Sequence, residues 1–355
     1  MIGIMKILYI LPSLDSTAPI FVARDLANYF FDQGHEVKVY YFDDIVNVTI
    51  SCECKNIGFN DIINFDDFDI IHSHMFRPDM YIYKNRKHIN RAKTISTIHC
   101  DIRKDLRFSY GFLISDVFTP IWTRYLRCFD NTVCINTYLY NIYKSTINNC
   151  ELIFNGINIE PDNEDYDCAE IIEKLNEYRN KGYIVIASYS SIIARKGLEQ
   201  IIEVVRKNDK YAYVCIGDGD DKKRLEKKAK EYRLEDRISF YKKIDKPYRV
   251  LKSVDVFAIP SLSEGFSLAL LEAGLMCKSI ICSDIPSFTE SFTEEEVTFF
   301  PINKIDVLEK KIEVAFLSRK EKGEAINRLI NLKYSRTKML NSYRELYLKL
   351  YGDIS

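Results

Sequence analysis

The sequence predicts an α/β protein built from two Rossmann-like domains with parallel sheets, and three observations predict it. Short apolar runs alternate with helical stretches along the chain, the order that produces βαβ units. Polar residues stand just past the ends of several apolar runs, where open α/β sheets bind ligands. The length of 355 residues suits two domains of ordinary size, and an apolar content of 47% is enough for two cores.

The opening MIGIMKILYILPS reads as a buried first strand over residues 7–11. A signal peptide would need a basic n-region and a small-residue cleavage site, and neither is present. Residues 12–17 form a loop. Pro19 suits the first turn of a helix that carries Phe21, Val22, Leu26, Tyr29 and Phe30 and stops near Gly34. Residues 35–42 make the next strand. Asp69-Ile70-Ile71-His72-Ser73-His74 is a strand ending in two histidines, which suit satisfied structural groups as well as ligands. Residues 94–98 form another strand, ending in His99. Strands follow over residues 131–136 and 151–154, and the acidic, polar stretch 159–182 reads as a linker plus one helix.

Residues 183–187 begin the second half as a strand. A serine-rich loop leads to Arg195-Lys196-Gly197, which is expected to open a helix running to residue 205. Two cations at a helix start oppose the dipole unless an anion sits there. A strand over 212–216 runs into Gly217-Asp218-Gly219. A polar helix over 225–232 and a short strand over 238–241 follow.

The most informative stretch is DVFAIPSLSEGFSLALLEAGLMCKSIICSDIPSFTE, residues 255–290. An apolar strand over 254–259 is ended by Pro260. Ser261, Ser263 and Gly265 make a tight loop, and Ser267 can cap a helix over 268–276 that is buried on most faces. Glu264 and Glu272 are eight residues apart, a little over two helical turns, so both carboxylates can face one cleft. Glu272 stands among Leu270, Leu271, Ala273 and Leu275, where a carboxylate needs partners; ribose hydroxyls would serve. The N–H groups of the helix start suit a diphosphate. Beyond it lie strands over 279–282 and 299–302 and a helix over 307–317. The last helix, 336–351, is amphipathic, with Met339, Tyr343, Leu346, Tyr347 and Leu350 on one face.

Net charge is −1 and excludes no class of partner. Its distribution is uneven. Residues 77–127 hold eleven Arg and Lys against four Asp, mixed with aromatics such as Phe108, Tyr110, Phe112 and Trp122. Basic plus aromatic suits contact with anionic lipid. No nucleic-acid-binding signature accompanies it, so no nucleic-acid partner is expected. The ten cysteines lack metal spacing, Cys52-x-Cys54 reads as strand, and free thiols point to a reducing cytosol. No apolar run is long enough to span a bilayer.

Glu264-Gly265-Phe266 followed by Leu271-Glu272-Ala273 resembles the E-x7-E signature of retaining glycosyltransferases of the GT-B fold, family 4 in the sequence-based classification. Gly34-His35-Glu36-Val37, Asn155-Gly156-Ile157-Asn158 and Gly217-Asp218-Gly219 resemble other turns of that family. The resemblance implies two Rossmann-like domains facing across a cleft: an acceptor domain over 1–160, a nucleotide-sugar domain over 161–335, and a last helix, 336–355, crossing back to the first. It implies catalytic roles for His99, Arg195, Lys196 and Glu264. Arg195 and Lys196 would hold the donor diphosphate, Glu264 the sugar and Glu272 the ribose. Gly265, Phe266, Ser267 and Leu268 would complete the donor loop, with residues 242–246 near the base. One departure is Ala18-Pro19, which stands where the family carries a Gly-Gly pair.

The activity so implied is transfer of a sugar, from a UDP-sugar first of all, to a hydroxyl of a glycan or lipid-linked glycan with retention of configuration. The setting is bacterial O-antigen, capsule or other surface-polysaccharide synthesis, in the cytoplasm with peripheral membrane contact. No cofactor or metal is expected. Asp218-Gly219-Asp220 has D-x-D spacing but falls at the family's G-x-G turn. Two alternatives stay open: a nucleotide-sugar epimerase of the same fold, and a non-catalytic scaffold in polysaccharide assembly.

Overall fold

The computed structural model describes residues 3–159 and 168–353. The chain forms two compact units, Met1–Asn155 with Arg336–Ser355, and Gly156–Ser335. The domain boundary expected at 160/161, and much of the linker, lie outside the described residues.

The first unit holds β1 (Lys6–Leu11), β2 (Glu36–Tyr41), β3 (Glu53–Asn56), β4 (Ile70–His74), β5 (Lys93–Ile98), β6 (Asn131–Cys134) and β7 (Cys150–Leu152). They make one parallel sheet in the order β3-β2-β1-β4-β5-β6-β7. The second holds β8 (Ile184–Tyr189), β9 (Tyr211–Ile216), β10 (Ile238–Tyr241), β11 (Val256–Ile259), β12 (Ser279–Ser283) and β13 (Thr298–Phe300). Its parallel sheet runs β10-β9-β8-β11-β12-β13. These are the two parallel-sheet α/β units of a GT-B fold. In each, strand order reverses beside the unit's first strand, between β1 and β4 and between β8 and β11. Such a switch point is where a doubly wound sheet opens to ligands.

Side-chain alternation explains why both faces of the first sheet are covered. Ile7, Tyr9 and Leu11 of β1 join the core under the helix Ala18–Asp32, while Leu8 and Ile10 join the opposite core with Phe65, Ile71 and Tyr81. The last helix, Arg336–Gly352, packs into the first of these cores. Tyr347 stacks on Phe30 with ring centroids 4.5 Å apart, and Arg336 bonds Asp25 at 3.0 Å.

One local expectation changes, and two elements are new. Arg195 and Lys196 do not open a helix. They lie on a single 3-10 turn, Ala194–Lys196, ended by Gly197 at φ 61°, and the helix starts afterwards as Glu199–Lys207. Its first turn carries Glu199, paired with Lys228 and Arg224, so no basic pair opposes the dipole. Residues 102–126, to which the sequence reading assigned no secondary structure, form a helical hairpin, Ile102–Tyr110 and Phe112–Leu126. A further helix, Arg319–Lys333, was too polar to read from periodicity. It packs so closely behind Leu268–Leu275 that a Cβ on Gly323 would meet the Cys277 carbonyl at 2.1 Å.

Candidate active site

The site in the second unit begins where β8 and β11 part. Their register runs only Val256↔Ile186 and Phe257↔Ala187. One residue on, Ser188 Oγ donates to the Ala258 carbonyl at 2.7 Å. Beyond that tie lies a small, partly open pocket, lined by residues of the β8 end (Ser188, Tyr189, Ser190), by Lys196, and by Pro260, Ser261, Glu264 and Ser267 after β11.

Two glycine-dependent contacts shape its rim. A Cβ on Gly197 would lie 2.2 Å from the Pro260 carbonyl oxygen, and its φ is left-handed as well. Only glycine lets the Lys196 turn rest on the strand end. Gln200 Nε2 donates to that same carbonyl at 2.9 Å, and Asn303 N–H donates to Gln200 Oε1 at 2.8 Å. Gly217 likewise approaches Ser190, where a Cβ would meet its carbonyl oxygen at 1.9 Å.

Glu264 is the centre of the charge arrangement. Lys196 Nζ donates to its Oε1 at 2.5 Å, Ser261 Oγ donates to the same oxygen at 2.7 Å, and Arg195 Nη1 lies 3.7 Å from Oε2. Arg195 also donates to the Ser263 carbonyl at 2.8 Å. Burial pushes the Glu264 carboxyl up, but the Lys196 and Arg195 charges and the two hydrogen bonds hold it below its ordinary value. Two cations therefore face one carboxylate. The anion that resolves the basic pair is the protein's own.

The helix Leu268–Leu275 starts beside this cluster. Ser267 Oγ accepts from Leu270 N–H at 3.3 Å, the cap its position predicts. Asn327 of the helix behind donates to the Gly274 and Leu275 carbonyls at 3.3 and 2.9 Å, holding the other end. Glu272 lies about one turn in. Burial raises its carboxyl to about 7, partly offset by a hydrogen bond with Tyr189. Two carboxyls of the same loop and helix are thus pushed in opposite directions, Glu264 down and Glu272 up.

Arg195, Lys196, Glu264, Ser267 and Glu272 are brought to one region. Gly265, Phe266 and Leu268 continue the same loop but do not line the pocket. The Phe266 ring packs on Tyr334 and Phe292, at 5.3 and 6.3 Å between centroids, so its contribution to a ligand is its backbone. Asp218 turns elsewhere, to Lys222 at 3.0 Å and the Lys243 N–H at 2.9 Å. Among the described residues no group of three or more His, Cys, Asp or Glu could hold a metal.

His99 belongs to the first unit, just past β5. Its Nε2 lies 2.9 Å from His74 Nδ1, and the rings stack. His72 beside them contacts the Tyr347 hydroxyl at 2.6 Å and Thr97 Oγ1 at 2.8 Å. Burial lowers His72 and His99 to about 3. His72 is thus the satisfied core group that residue type alone allowed. The Ala18-Pro19 pair falls inside the first turn of its helix. Pro19 has no N–H, and the Ile20 N–H bonds the Thr17 carbonyl at 3.0 Å, so this helix start offers few donors.

Residues 167–331 match the family model described as Glycosyl transferases group 1, and residues 58–161 match Glycosyltransferase Family 4. The chain is a relative of the GT-B glycosyltransferases. It is 29% identical over 373 residues to an Escherichia coli protein named O-antigen biosynthesis glycosyltransferase WclY, covering 99% of this chain and all of that one. Among solved structures it resembles sucrose-phosphate synthase from Thermosynechococcus elongatus, with TM-score 0.80, 15% identity and coverage of 98% and 100%. It also resembles Anabaena HepE in complex with UDP-glucose, with TM-score 0.78, 14% identity and coverage of 96% and 99%. At these identities the solved structures speak for the fold. The first model spans Arg195 to Glu272, and the second spans His99.

Sequence reasoning on this glycosyltransferase relative missed Ser261, Tyr189 and Gln200 as parts of the site. Ser261 was legible as a loop residue but not as a donor to Glu264. Tyr189 and Gln200 carry no motif, and only the folded pocket shows what they touch.

Proposed function

We propose that the protein is a retaining glycosyltransferase that moves a sugar from a UDP-sugar to a hydroxyl of a glycan or lipid-linked glycan. The observation that carries this reading is the Lys196–Glu264–Arg195 cluster at the β8/β11 switch point beside a capped helix start. The two cations and the first-turn N–H groups suit a diphosphate. Glu264 suits sugar hydroxyls, and the weakly partnered Glu272 suits the ribose. UDP is favoured because HepE was solved with UDP-glucose. The polysaccharide setting rests on the kinship with WclY, and the cytoplasmic one on the free cysteines.

In this mechanism the bond from the anomeric carbon to the β-phosphate oxygen breaks, and its electron pair leaves with the diphosphate. The acceptor oxygen bonds to the same face of the sugar, and the acceptor proton passes to the departing phosphate. Arg195, Lys196 and the helix start stabilise the growing phosphate charge. His99, held neutral, can hydrogen-bond an acceptor or the transferred sugar without adding charge. No metal is required by this arrangement.

The test is a thermal-shift panel with UDP, GDP, ADP and CMP, with and without magnesium, followed by transfer assays. A midpoint raised by UDP without metal is expected. If none of the four shifts it, the catalytic reading fails, and the scaffold reading that the donor-poor Ala18-Pro19 helix start favours takes its place. Turnover of a nucleotide sugar without any acceptor would instead identify an epimerase.

A further inference from the structure

The hairpin Ile102–Tyr110 and Phe112–Leu126 turns at Gly111, whose φ is 86°. Its base is well held. Ile102 and Trp122 are buried, Trp122 Nε1 donates to Asp79 at 2.7 Å, and Ser115 Oγ donates to the Arg103 carbonyl at 2.8 Å. Its tip is not covered. Every residue from 107 to 114 is exposed. Phe108, Tyr110, Phe112, Leu113, Ile114 and Val117 show large apolar faces to solvent, Leu113 being 82% exposed. Single exposed apolar residues are ordinary, but a contiguous cluster of this size marks an interaction site.

Cations surround the cluster. The Arg107 guanidinium lies over the Phe112 ring, 4.9 Å from its centroid. Arg103 is exposed and bridged to Asp116 at 2.7 Å, and Lys104 and Arg124 are exposed as well. Across residues 77–127 there is no Glu, and two of the four Asp, Asp79 and Asp101, are buried.

We propose that this tip docks into an anionic lipid surface. Leu113 and the flanking aromatics would enter the boundary between headgroups and acyl chains, with Arg103, Arg107 and Arg124 meeting lipid phosphates. Two observations favour a bilayer over a protein partner. The apolar residues form the turn of a hairpin, a shape that enters a fluid surface but lays no flat face against a protein. Tyr, Phe and Arg together also make the amphipathic mixture that sits at a membrane interface, apolar bodies inward and polar ends in water. Among the described residues no helix is long and apolar enough to cross a membrane, so the contact is shallow. None of this depends on the proposed transfer reaction.

The experiment is flotation of the full chain with vesicles of phosphatidylethanolamine and phosphatidylglycerol, and with phosphatidylcholine alone, at low and high salt. Flotation with the anionic vesicles, weakened by salt, is expected. The double variant Phe112→Ser with Leu113→Ser should lower partitioning roughly tenfold or more, since it removes two apolar side chains from the inserted face. Arg107→Glu, which alters no buried side chain, should also weaken binding to anionic vesicles and should reduce its salt dependence. Absence of flotation at low salt overturns the proposal, as does equal flotation of wild type and both variants. A dimer that the double variant dissociates, with no vesicle binding, would assign the tip to a second copy of the chain instead.

Discussion

The two switch points share a strand order but carry opposite electrostatics. Beside β8 and β11, Lys196 and Glu264 line a pocket and Arg195 adds a second cation to the same carboxylate. Beside β1 and β4 the polar groups are imidazoles and hydroxyls: His72, Thr97, Tyr343, Tyr347 and Tyr9 are linked by contacts of 2.6–3.1 Å. Burial keeps those histidines neutral. A buried charge persists when an opposite charge comes with it, as for Glu264, and is otherwise replaced by the neutral form. The second unit therefore holds ionised groups at its switch point, the first neutral donors and acceptors.

The sharpest way to break that contrast is Glu264→Gln. Transfer should fall by about 10²–10³-fold or more. Stability should fall by less than the ~3–5 kcal/mol of a stripped buried pair, because the Lys196 and Arg195 side chains keep 17% and 21% exposure. Turnover assays alongside urea unfolding separate the two, and near-native turnover would remove Glu264 from the site.

His99→Ala probes the neutral side. Transfer should fall on the order of 10²-fold, with the UDP-induced thermal shift unchanged. A lost shift would mean that His99 serves the nucleotide rather than the reaction.

Glu272 gives a pH signature. Its folded value of about 7 lies above the ordinary 4.5, so the folded state holds the proton more tightly. Its contribution to stability is full below about 4.5 and is lost as pH rises toward 7. If ribose hydroxyls prefer the ionised form, UDP affinity should rise as pH climbs through about 7. Titration calorimetry on wild type and Glu272→Gln checks this; a slope that survives the substitution belongs to another group.

The smallest effect concerns structure alone. Asp79 accepts from Ser73, Ser96 and Trp122 at 2.7–2.8 Å, and burial raises it to about 7 despite those bonds. Trp122→Phe removes one donor and should cost about 1–3 kcal/mol, read as a lower urea midpoint without loss of UDP binding. An unchanged midpoint would show that the hairpin is not anchored through Asp79.

Much of the second unit was legible because strand, loop and helix are local events. Apolar runs marked β11 and β12, Pro260 ended β11, and Ser267 capped the helix that follows. The polar helix Arg319–Lys333 was not legible, because it buries only four residues, two of them Lys322 and Gly323. Its fit against the site helix depends on small residues facing carbonyls, a feature with no periodic trace. The hairpin at 102–126 was visible as composition but not as two helices, since exposed Phe112, Leu113, Val117 and Phe118 make the outward side of the second helix apolar and blur its period.

The sequence by itself determined the two α/β units, the spacing of Glu264 and Glu272 on loop and helix, and the residue types available for chemistry. These follow from local propensity and from side-chain periodicity. Tertiary structure alone decided the charge states. Glu264 is ionised because Lys196 and Arg195, 68 and 69 residues away, reach it across the pocket, while Glu272 on the adjoining helix is desolvated without a cation beside it. Solvation and long-range pairing are properties of the folded surroundings, and no stretch of sequence contains them.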